Sequence, residues 1–335
     1  MRSARSELAT YLGGALLLLI VCAQPQAARA QLPAEGNSQV DVSAPASNRG
    51  RTSRAPHLGT ERDTAGPHVF AGLGHQGFRL ESADARQSLH IQGLFSARAS
   101  ANIPRDGKVT YAGSIRLARF ALSGNLAGDT LTYYFQAGFE NSPQLLDMEL
   151  MWSPFAERLK LRFGRVRVPF ARQWITGLGA QALPDRSAAS DYFRPGRDTG
   201  VTVESQWLDR IELRAGGYVE EADRWPRALA RVGYAPLGMF AYNEDVNRVA
   251  GPVRFQVGLG ANYNKGAVSS GGTTTNVAVT SGAIDLALRA GPVAVFAEGY
   301  IQRRRPVEGA DTLAAGGFAQ VGAFVMPGIL ELAAR

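Results

Sequence analysis

Basic residues are concentrated in one short stretch, Leu159 to Phe170, which reads LKLRFGRVRVPF. A guanidinium group is planar, stays charged at any physiological pH and binds phosphate or carboxylate through two parallel hydrogen bonds. The first two cations alternate with apolar residues, as they would on one face of a β-strand. We expect a bulge at Gly164 to shift this alternation by one residue, so that four cations share a face. They are Lys160, Arg162, Arg165 and Arg167.

This cationic face must meet water or partner charges, because one basic residue on a lipid-facing strand costs roughly 2 to 4 kcal/mol near the midplane. One interpretation is a water-filled lumen lined by unbalanced positive charge. The other is a barrel interior in which the arginines pair with Asp147 and Glu149 of the preceding strand. The two interpretations are compatible if the bases outnumber the acids.

A long connection follows, from Ala171 to Asp198. A connection of this length inside a compact domain is usually functional. It carries further basic residues, among them Arg186, Arg194 and Arg197. These residues are candidates for binding an anion, since their side chains have the same fork geometry as those of the basic strand.

Most of the chain after residue 70 consists of short segments in which apolar and polar residues alternate, separated by Gly, Pro, Asn and Asp. Leu131, Tyr133 and Phe135, for example, alternate with Thr130, Thr132 and Gln136. A period of two predicts strands with one apolar and one wet face. We count about thirteen such segments by this criterion, near residues 88–102, 112–126, 129–140, 145–153, 158–170, 199–206, 210–219, 226–235, 252–263, 280–290, 292–303, 315–326 and 328–335.

Every second connection between these segments is tight, as at 125–129, 153–157, 207–210, 290–292 and 326–328, and most of the others are long. Short turns at one end and long loops at the other are typical of outer-membrane β-barrels. Two connections break the rule: 141–144 is short where a loop is expected, and 235–251 is long where a turn is expected.

The N-terminus predicts export. Arg2 and Arg5 precede an apolar run from Tyr11 to Ala23, and Ala28-Arg29-Ala30 resembles a cleavage site. We therefore assign residues 1–30 to a signal peptide. Residues 31–69 are rich in Ser, Pro, Ala and Gly and are expected to form a flexible periplasmic extension. After this region the sequence contains no apolar run of helical membrane length, so membrane insertion of residues 70–335 requires a barrel.

Composition excludes several classes of function. The single cysteine, Cys22, lies in the leader, which excludes a disulfide scaffold and a thiolate metal site in the exported chain. Of 36 basic residues only Lys108, Lys160 and Lys265 are lysines, a bias that codon usage explains as well as anion binding does. Nucleic-acid binding fits poorly, because an exported chain without a basic helix or recognition motif is not expected to use its charge that way.

Several motifs resemble the phosphate-selective porin O and P family. Gly164–Phe170 (GRVRVPF) is similar to its glycine, basic residue and Val-Pro-Phe strand end, and 185–204 (DRSAASDYFRPGRDTGVTVE) is similar to its loop-to-strand segment. Supporting matches are IRLARFALSGNL at 115–126, ELMWSPF at 149–155 and GGFAQVGAFVMPGILELAAR at 316–335. The resemblance covers most of residues 70–335.

The resemblance implies a sixteen-stranded, transmembrane antiparallel β-barrel that is usually a homotrimer, with its third loop folded into the lumen. It implies passage of inorganic phosphate or other small anions across the outer membrane of a Gram-negative bacterium, with outer-membrane lipid as surroundings and without catalysis, metal or cofactor. The carried-over residues are Arg165 and Arg167 on the strand, Arg186 and Arg197 in the loop, and Arg116 and Arg119 on the family's basic second strand.

Two other functions remain open at this stage. A structural barrel or adhesin without specific transport would have the same strand pattern, because fold does not fix function. An outer-membrane hydrolase would need a nucleophile beside a histidine, yet His57, His68, His75 and His90 all lie at or before residue 90.

We also expect the barrel to continue beyond residue 335. Bacterial single-chain barrels have an even number of strands, whereas the count here is odd. The last segment, Ile329 to Arg335, also lacks the terminal aromatic residue common in such proteins. The family resemblance implies several further strands after a similar segment.

Overall fold

We describe a computed structural model of the chain, over residues 69–74, 77–103, 107, 109–140, 142–219, 226–244, 252–270, 273–307, 309–326 and 329–335. The predicted signal peptide, almost all of the predicted extension and three of the four histidines, His57, His68 and His75, lie outside the described residues. Among the described residues no helix is both long and apolar enough to cross a membrane.

The described chain forms one antiparallel sheet in which each strand pairs with its neighbour in sequence. Its fifteen strands are β1 Val69–Gly74, β2 Gly77–Ser82, β3 Ser88–Asn102, β4 Thr110–Asn125, β5 Leu131–Gly138, β6 Gln144–Trp152, β7 Lys160–Arg167, β8 Arg197–Trp207, β9 Ile211–Val219, β10 Arg227–Tyr234, β11 Arg254–Ser270, β12 Thr273–Ala290, β13 Val293–Pro306, β14 Thr312–Met326 and β15 Leu330–Ala334. Two short helices, α1 (Arg172–Ile175) and α2 (Ala188–Phe193), lie between β7 and β8.

All thirteen predicted strands are present, and the structure adds two more. The sequence reading missed β1 and β2, a short hairpin of six residues per strand in which Gly74 pairs with Gly77. Segments this short and this rich in glycine give little alternation to detect. Within the described residues β1 pairs only with β2, and β15 only with β14.

Alternation along the strands separates an inner from an outer face. On β10, Arg227, Leu229 and Arg231 are buried, whereas Ala228 and Ala230 between them are exposed, as are Val232 (39%) and Tyr234 (47%) beyond them. The same pattern puts charged and polar side chains on the buried face and large apolar ones on the exposed face of most other strands. This arrangement is inverted relative to a soluble sandwich and is that of a barrel wall in lipid.

The sheet curls around its contents, because strands from its two ends reach the same residue. Arg116 of β4 donates from Nε to Asp185 Oδ1 at 2.9 Å. Arg335, immediately after β15, donates from Nη1 to the carbonyl oxygen of Asp185 at 2.7 Å. Asp185 belongs to the long connection between β7 and β8, so the wall surrounds that connection.

The prediction of a bulge at Gly164 is wrong. Gly164 pairs with Glu149 on one side and Gly200 on the other, and the register of β7 runs without a shift from Lys160 to Arg167. Gly164 instead has a backbone φ of +120°, a conformation that residues with a side chain rarely adopt. The ladders do shift elsewhere, at Ser96/Ala97, Gln136/Ala137 and Phe324/Met326.

Candidate functional site

The connection between β7 and β8 is rooted in the barrel by an apolar cluster. Val166, Val168 and Phe170 are fully buried at the end of β7. They pack with Phe193 of α2 and with inward side chains of β9, β10, β12 and β13, namely Tyr218, Leu229, Ala283 and Tyr300. The ring of Phe193 stacks on that of Tyr300 with centroids 5.3 Å apart. The connection, which we call the lumen loop (residues 168–196), is therefore held against the opposite wall.

Polar contacts hold the far side of the lumen loop. Asp185 accepts hydrogen bonds from Arg98 of β3 and Arg116 of β4. The backbone N–H of Gln173 donates to Glu298 of β13. Burial opposes ionisation of Asp185, but the hydrogen bonds from Arg98 and Arg116 outweigh it and hold the pKa of that carboxyl below its ordinary value.

Four arginines surround the indole ring of Trp174 in α1. Their guanidinium carbons lie within 6 Å of its ring centroid, at 5.4 Å for Arg167, 4.8 Å for Arg186, 5.0 Å for Arg194 and 5.9 Å for Arg197. Each distance is within the range of a cation–π contact, which contributes roughly 0.5 to 2 kcal/mol depending on desolvation. We call these five residues the tryptophan cluster.

The tryptophan cluster has more guanidinium groups than carboxylate partners. Arg197 pairs with Asp147 at 2.8 Å, and Arg194 with Asp191 at 3.6 Å. Arg167 and Arg186 instead donate to backbone carbonyl oxygens of residues 173–176, and neither has a carboxylate within 4 Å in the described part of the chain. Burial, followed by the charge of Arg167, lowers the pKa of Arg186 well below its usual range.

A further donor is available in the tryptophan cluster. The indole nitrogen of Trp174, a residue only 2% exposed, finds no hydrogen-bond acceptor among the residues that the structure describes. A buried N–H without an acceptor is costly. An anion among the four guanidinium groups would meet a local excess of positive charge and of N–H donors.

The strand cations follow the interpretation of internal pairing. Arg162 bridges Glu149 at 3.3 Å and Glu204 at 3.2 Å. Lys160 pairs with Glu157 at 2.6 Å. On β4, Arg119 pairs with Glu140 at 2.7 Å and Arg116 with Asp185 at 2.9 Å. These cations line the wall, but each has a carboxylate partner.

Arg165 and Arg167 have the opposite register to Lys160 and Arg162, which corrects the prediction that all four cations share one face. Arg165 pairs in the ladders with Met148 and Thr199, both exposed on the outer face. The inward position beyond Arg162 and Gly164 is taken by Val166. Arg167, at the strand end, nevertheless reaches the lumen loop through its guanidinium group.

A second arginine cluster was missed from the sequence. The connection after β10 enters the barrel from the turn end, and its Phe240 and Tyr242 are buried. Three guanidinium groups make four contacts with these two rings at 4.8 to 5.1 Å, and Arg231 is farther away at 5.9 Å from Tyr242. The four contacts come from Arg172 over both rings, Arg214 over Tyr242 and Arg289 over Phe240.

This second cluster carries its own acids. Arg231 and Asp285, both with fully buried side chains, form a two-point ion pair at 2.5 and 3.0 Å. Arg214 contacts Glu212 and lies 3.9 Å from Glu204. The alternation in RALAR (227–231) and IELR (211–214) placed these arginines inward, and this was the signal available in the sequence.

The two inward connections meet inside the barrel. The backbone N–H of Glu244 donates to the carbonyl oxygen of Ala180 in the lumen loop at 2.8 Å. Its carboxylate accepts from Gln320 of β14 at 3.1 Å and lies 3.5 Å from Arg335. The lumen is therefore narrowed from both ends by segments that contact each other. Within the described residues no group of three or more His, Cys, Asp and Glu side chains could hold a metal ion.

The chain was compared with known proteins by sequence and by structure. A search of curated proteins by sequence found no match. Among solved structures the chain is similar to an anion-selective porin from Comamonas acidovorans (TM-score 0.48, 14% identity, 72% of this chain and 75% of that one). It is also similar to OmpT of Vibrio cholerae, as a loop L8 deletion mutant (TM-score 0.47, 13% identity, 72% and 78% covered) and as the outer-membrane expressed protein (TM-score 0.46, 15% identity, 72% of each chain).

The family comparison is more specific than these structural likenesses. The model of the family described as phosphate-selective porin O and P matches residues 99–328, about two-thirds of the chain. The match spans β4 through β14, and with them the lumen loop and both arginine clusters. The chain belongs to the phosphate-selective porin O and P family and is an outer-membrane porin.

Proposed function

We propose that this porin is a diffusion channel for small anions, inorganic phosphate among them, and that the tryptophan cluster is its selective site. The observation that carries the proposal is the charge balance around Trp174: four guanidinium groups with two carboxylates in contact. A cationic constriction with low-dielectric walls concentrates anions from both sides.

The lumen offers an anion several moderate contacts in sequence. Arg194 is 44% exposed and is the accessible member of the tryptophan cluster, whereas Arg167, Arg186 and Arg197 lie deeper. A phosphate that moves from Arg194 inward exchanges part of its hydration for guanidinium hydrogen bonds, each worth roughly 1.5 to 3 kcal/mol when charged. Conduction requires such contacts to remain weak enough for release.

The wall cations have a different role in this proposal. Arg116, Arg119, Lys160 and Arg162 each have a carboxylate partner, so they orient loop and wall and add less to anion binding. Arg165 contributes least, because it has the register of the outer face. A structural barrel without transport would need none of the charge excess at Trp174.

A hydrolase is not supported by the same geometry. His90, the one histidine among the described residues, pairs in the ladders with Arg79 and Ser123 on the wall. We infer that the protein acts without catalysis. The homotrimer, the signal peptide and the N-terminal extension remain predictions.

Reversal potentials across planar bilayers in a KCl gradient test the proposal. Wild-type channels should prefer chloride, and millimolar phosphate should block part of the chloride current. The double variant Arg186→Gln/Arg194→Gln should lose most of that preference and of the block. The matched control Arg158→Gln/Arg210→Gln removes two exposed arginines at the turn end and should behave as wild type. Absence of conductance from folded protein, or selectivity unchanged in the loop variant, would contradict the proposal.

A further inference from the structure

The outer face of the barrel carries a cationic patch at the loop end of β11, β12 and β13. Lys265, Ala278 and Arg305 form one row across the three strands. Tyr263, Thr280 and Arg303 form the next row. The adjacent row on the turn side, formed by Asn262, Ser281 and Gln302, is buried and faces the lumen. Since faces alternate along a strand, Lys265, Arg303 and Arg305 face outward.

The patch has a positive charge excess. Arg303 and Arg305 are 50% and 57% exposed. Both pair with one carboxylate, Asp311, at 2.5 and 3.3 Å. Exposed ion pairs of this kind are weak, about 0 to 1 kcal/mol each, and a stronger anion can displace them. Among the described residues, Arg303 and Arg305 therefore share a single carboxylate, Asp311.

An apolar groove begins below the patch on the same outer face. It has a volume of about 1030 Å³ and runs over β8 to β14. Its walls are large side chains, such as Leu259, Ile284 and Ile301, and its floor is made of small residues, among them Ala261, Gly282 and Gly299. This volume is at the upper end of the range of about 300 to 1,000 Å³ that is usual for ligand-binding pockets. In an outer membrane, the molecules that reach this face are acyl chains.

The patch lies at the height of lipid headgroups. From Val293, at the turn end of β13, to Arg303 the strand climbs about 23 Å along the membrane normal, for a rise of about 3.3 Å per residue and a tilt near 45°. The apolar band of an outer-membrane barrel is about 25 Å tall. Arg303 therefore lies at the upper edge of the band and Arg305 just beyond it, at the end that carries the loops, which is the extracellular end in such barrels.

We propose that this surface binds a phosphorylated, multiply acylated lipid of the outer leaflet. Its phosphate binds Arg303 and Arg305 of β13 in place of Asp311. Lys265 lies in the same row, two strands away on β11. Its acyl chains lie in the groove over Gly282 and Gly299. The inference rests on the outer-membrane location and on the outer face alone, so it is independent of the selectivity of the lumen.

Native mass spectrometry of the protein, purified in neutral detergent and titrated with diphosphoryl lipid A, tests this site. Phosphatidylcholine of matched chain length serves as the zwitterionic control lipid. Wild-type protein should bind lipid A in preference to phosphatidylcholine. Arg303→Gln/Arg305→Gln should bind lipid A about thirtyfold more weakly, since each basic residue near the surface contributes roughly 1 kcal/mol to anionic lipid binding. Arg158→Gln/Arg210→Gln, with the same charge removed at the turn end, should bind as wild type.

A second variant keeps the test independent of folding defects in the first. Asp311→Asn removes the competing carboxylate and should tighten lipid A binding two- to threefold. Weaker binding by this variant, equal binding of both lipids, or equal binding by the Arg303/Arg305 variant and wild type would overturn the proposal. So would wild-type oligomers that exclude lipid A from the groove, because a second copy of the chain would then be the occupant.

Discussion

Gln173 and Glu244, which are 71 residues apart in sequence, are joined by a buried hydrogen bond of 2.7 Å from the amide nitrogen to the carboxylate. Gln173 belongs to the lumen loop, which enters from the loop end, and Glu244 to the connection that enters from the turn end. The same carboxylate accepts a hydrogen bond from the backbone N–H of Ala182 at 3.3 Å. Glu244 thus ties both inward segments into one constriction.

Replacing Glu244 should separate its two roles. Glu244→Ala removes every acceptor at this position, so we expect larger and noisier single-channel conductance as the two segments part. Glu244→Gln keeps an acceptor and removes only the negative charge, so conductance should stay near wild type while anion preference rises slightly. Single-channel recordings with reversal potentials distinguish these outcomes. Identical behaviour of the two variants would argue against the tie.

Arg165 and Arg167 form a matched pair on one strand. Both have the register of the outer face, but Arg167, at the strand end, donates to three carbonyl oxygens of the lumen loop and lies over Trp174. Arg167→Gln should therefore shift the reversal potential toward cations, and Arg165→Gln should leave it within error of wild type. A larger shift from Arg165 would mean that the register of β7 is misassigned.

Trp174 offers a test of its N–H group. Trp174→Phe retains an aromatic face for the guanidinium groups but removes the indole donor, which finds no acceptor in the described residues. We expect phosphate block of the chloride current to weaken by a fewfold while the channel still forms. Block should weaken in wild type as salt rises, because screening reduces the contribution of the arginines. If the block in Trp174→Phe matches wild type at low salt, the indole N–H does not contact the anion.

The strand pattern was readable from the sequence because a wall between lipid and lumen enforces strict alternation, as on β5 and β10. Pairing of Arg162 with Glu149 was one of the two interpretations, but its second partner, Glu204, was not predicted, since that contact depends on the register of β8. The bulge at Gly164 was predicted wrongly because a glycine at positive φ gives the same sequence signal as a bulge. The burial of Phe240 and Tyr242 depends on packing between residues far apart in sequence, which no local pattern encodes.

Asp185 should make the anchoring of the lumen loop sensitive to acid. Its pKa lies below the ordinary value of 3.8 in the folded protein. The tether to Arg98 and Arg116 is therefore complete above pH 3.8 and is lost as the pH falls through the lowered pKa. Asp185→Asn should reproduce at neutral pH the gating noise that wild type shows only in strong acid. Recordings at pH 7 and at a series of decreasing pH values below 3.8 compare the two proteins, and noise that depends on pH equally in both would exclude Asp185 as the cause.

Gly164 should be the least replaceable residue of β7. It has φ +120°, and a Cβ atom there would lie 2.1 Å from the carbonyl oxygen of Met148 on β6, far inside van der Waals contact. Gly164→Ala should cost roughly 1 to 3 kcal/mol in backbone strain, and more if the ladder between β6 and β7 must open. Gly113→Ala is the matched control, because a Cβ there has no atom within 4 Å. Urea titration followed by heat-modifiable gel mobility should show a lower midpoint for Gly164→Ala only. Equal midpoints would mean that the β6–β7 ladder tolerates a side chain at this position, and that the backbone of β7 is not fixed by its glycine.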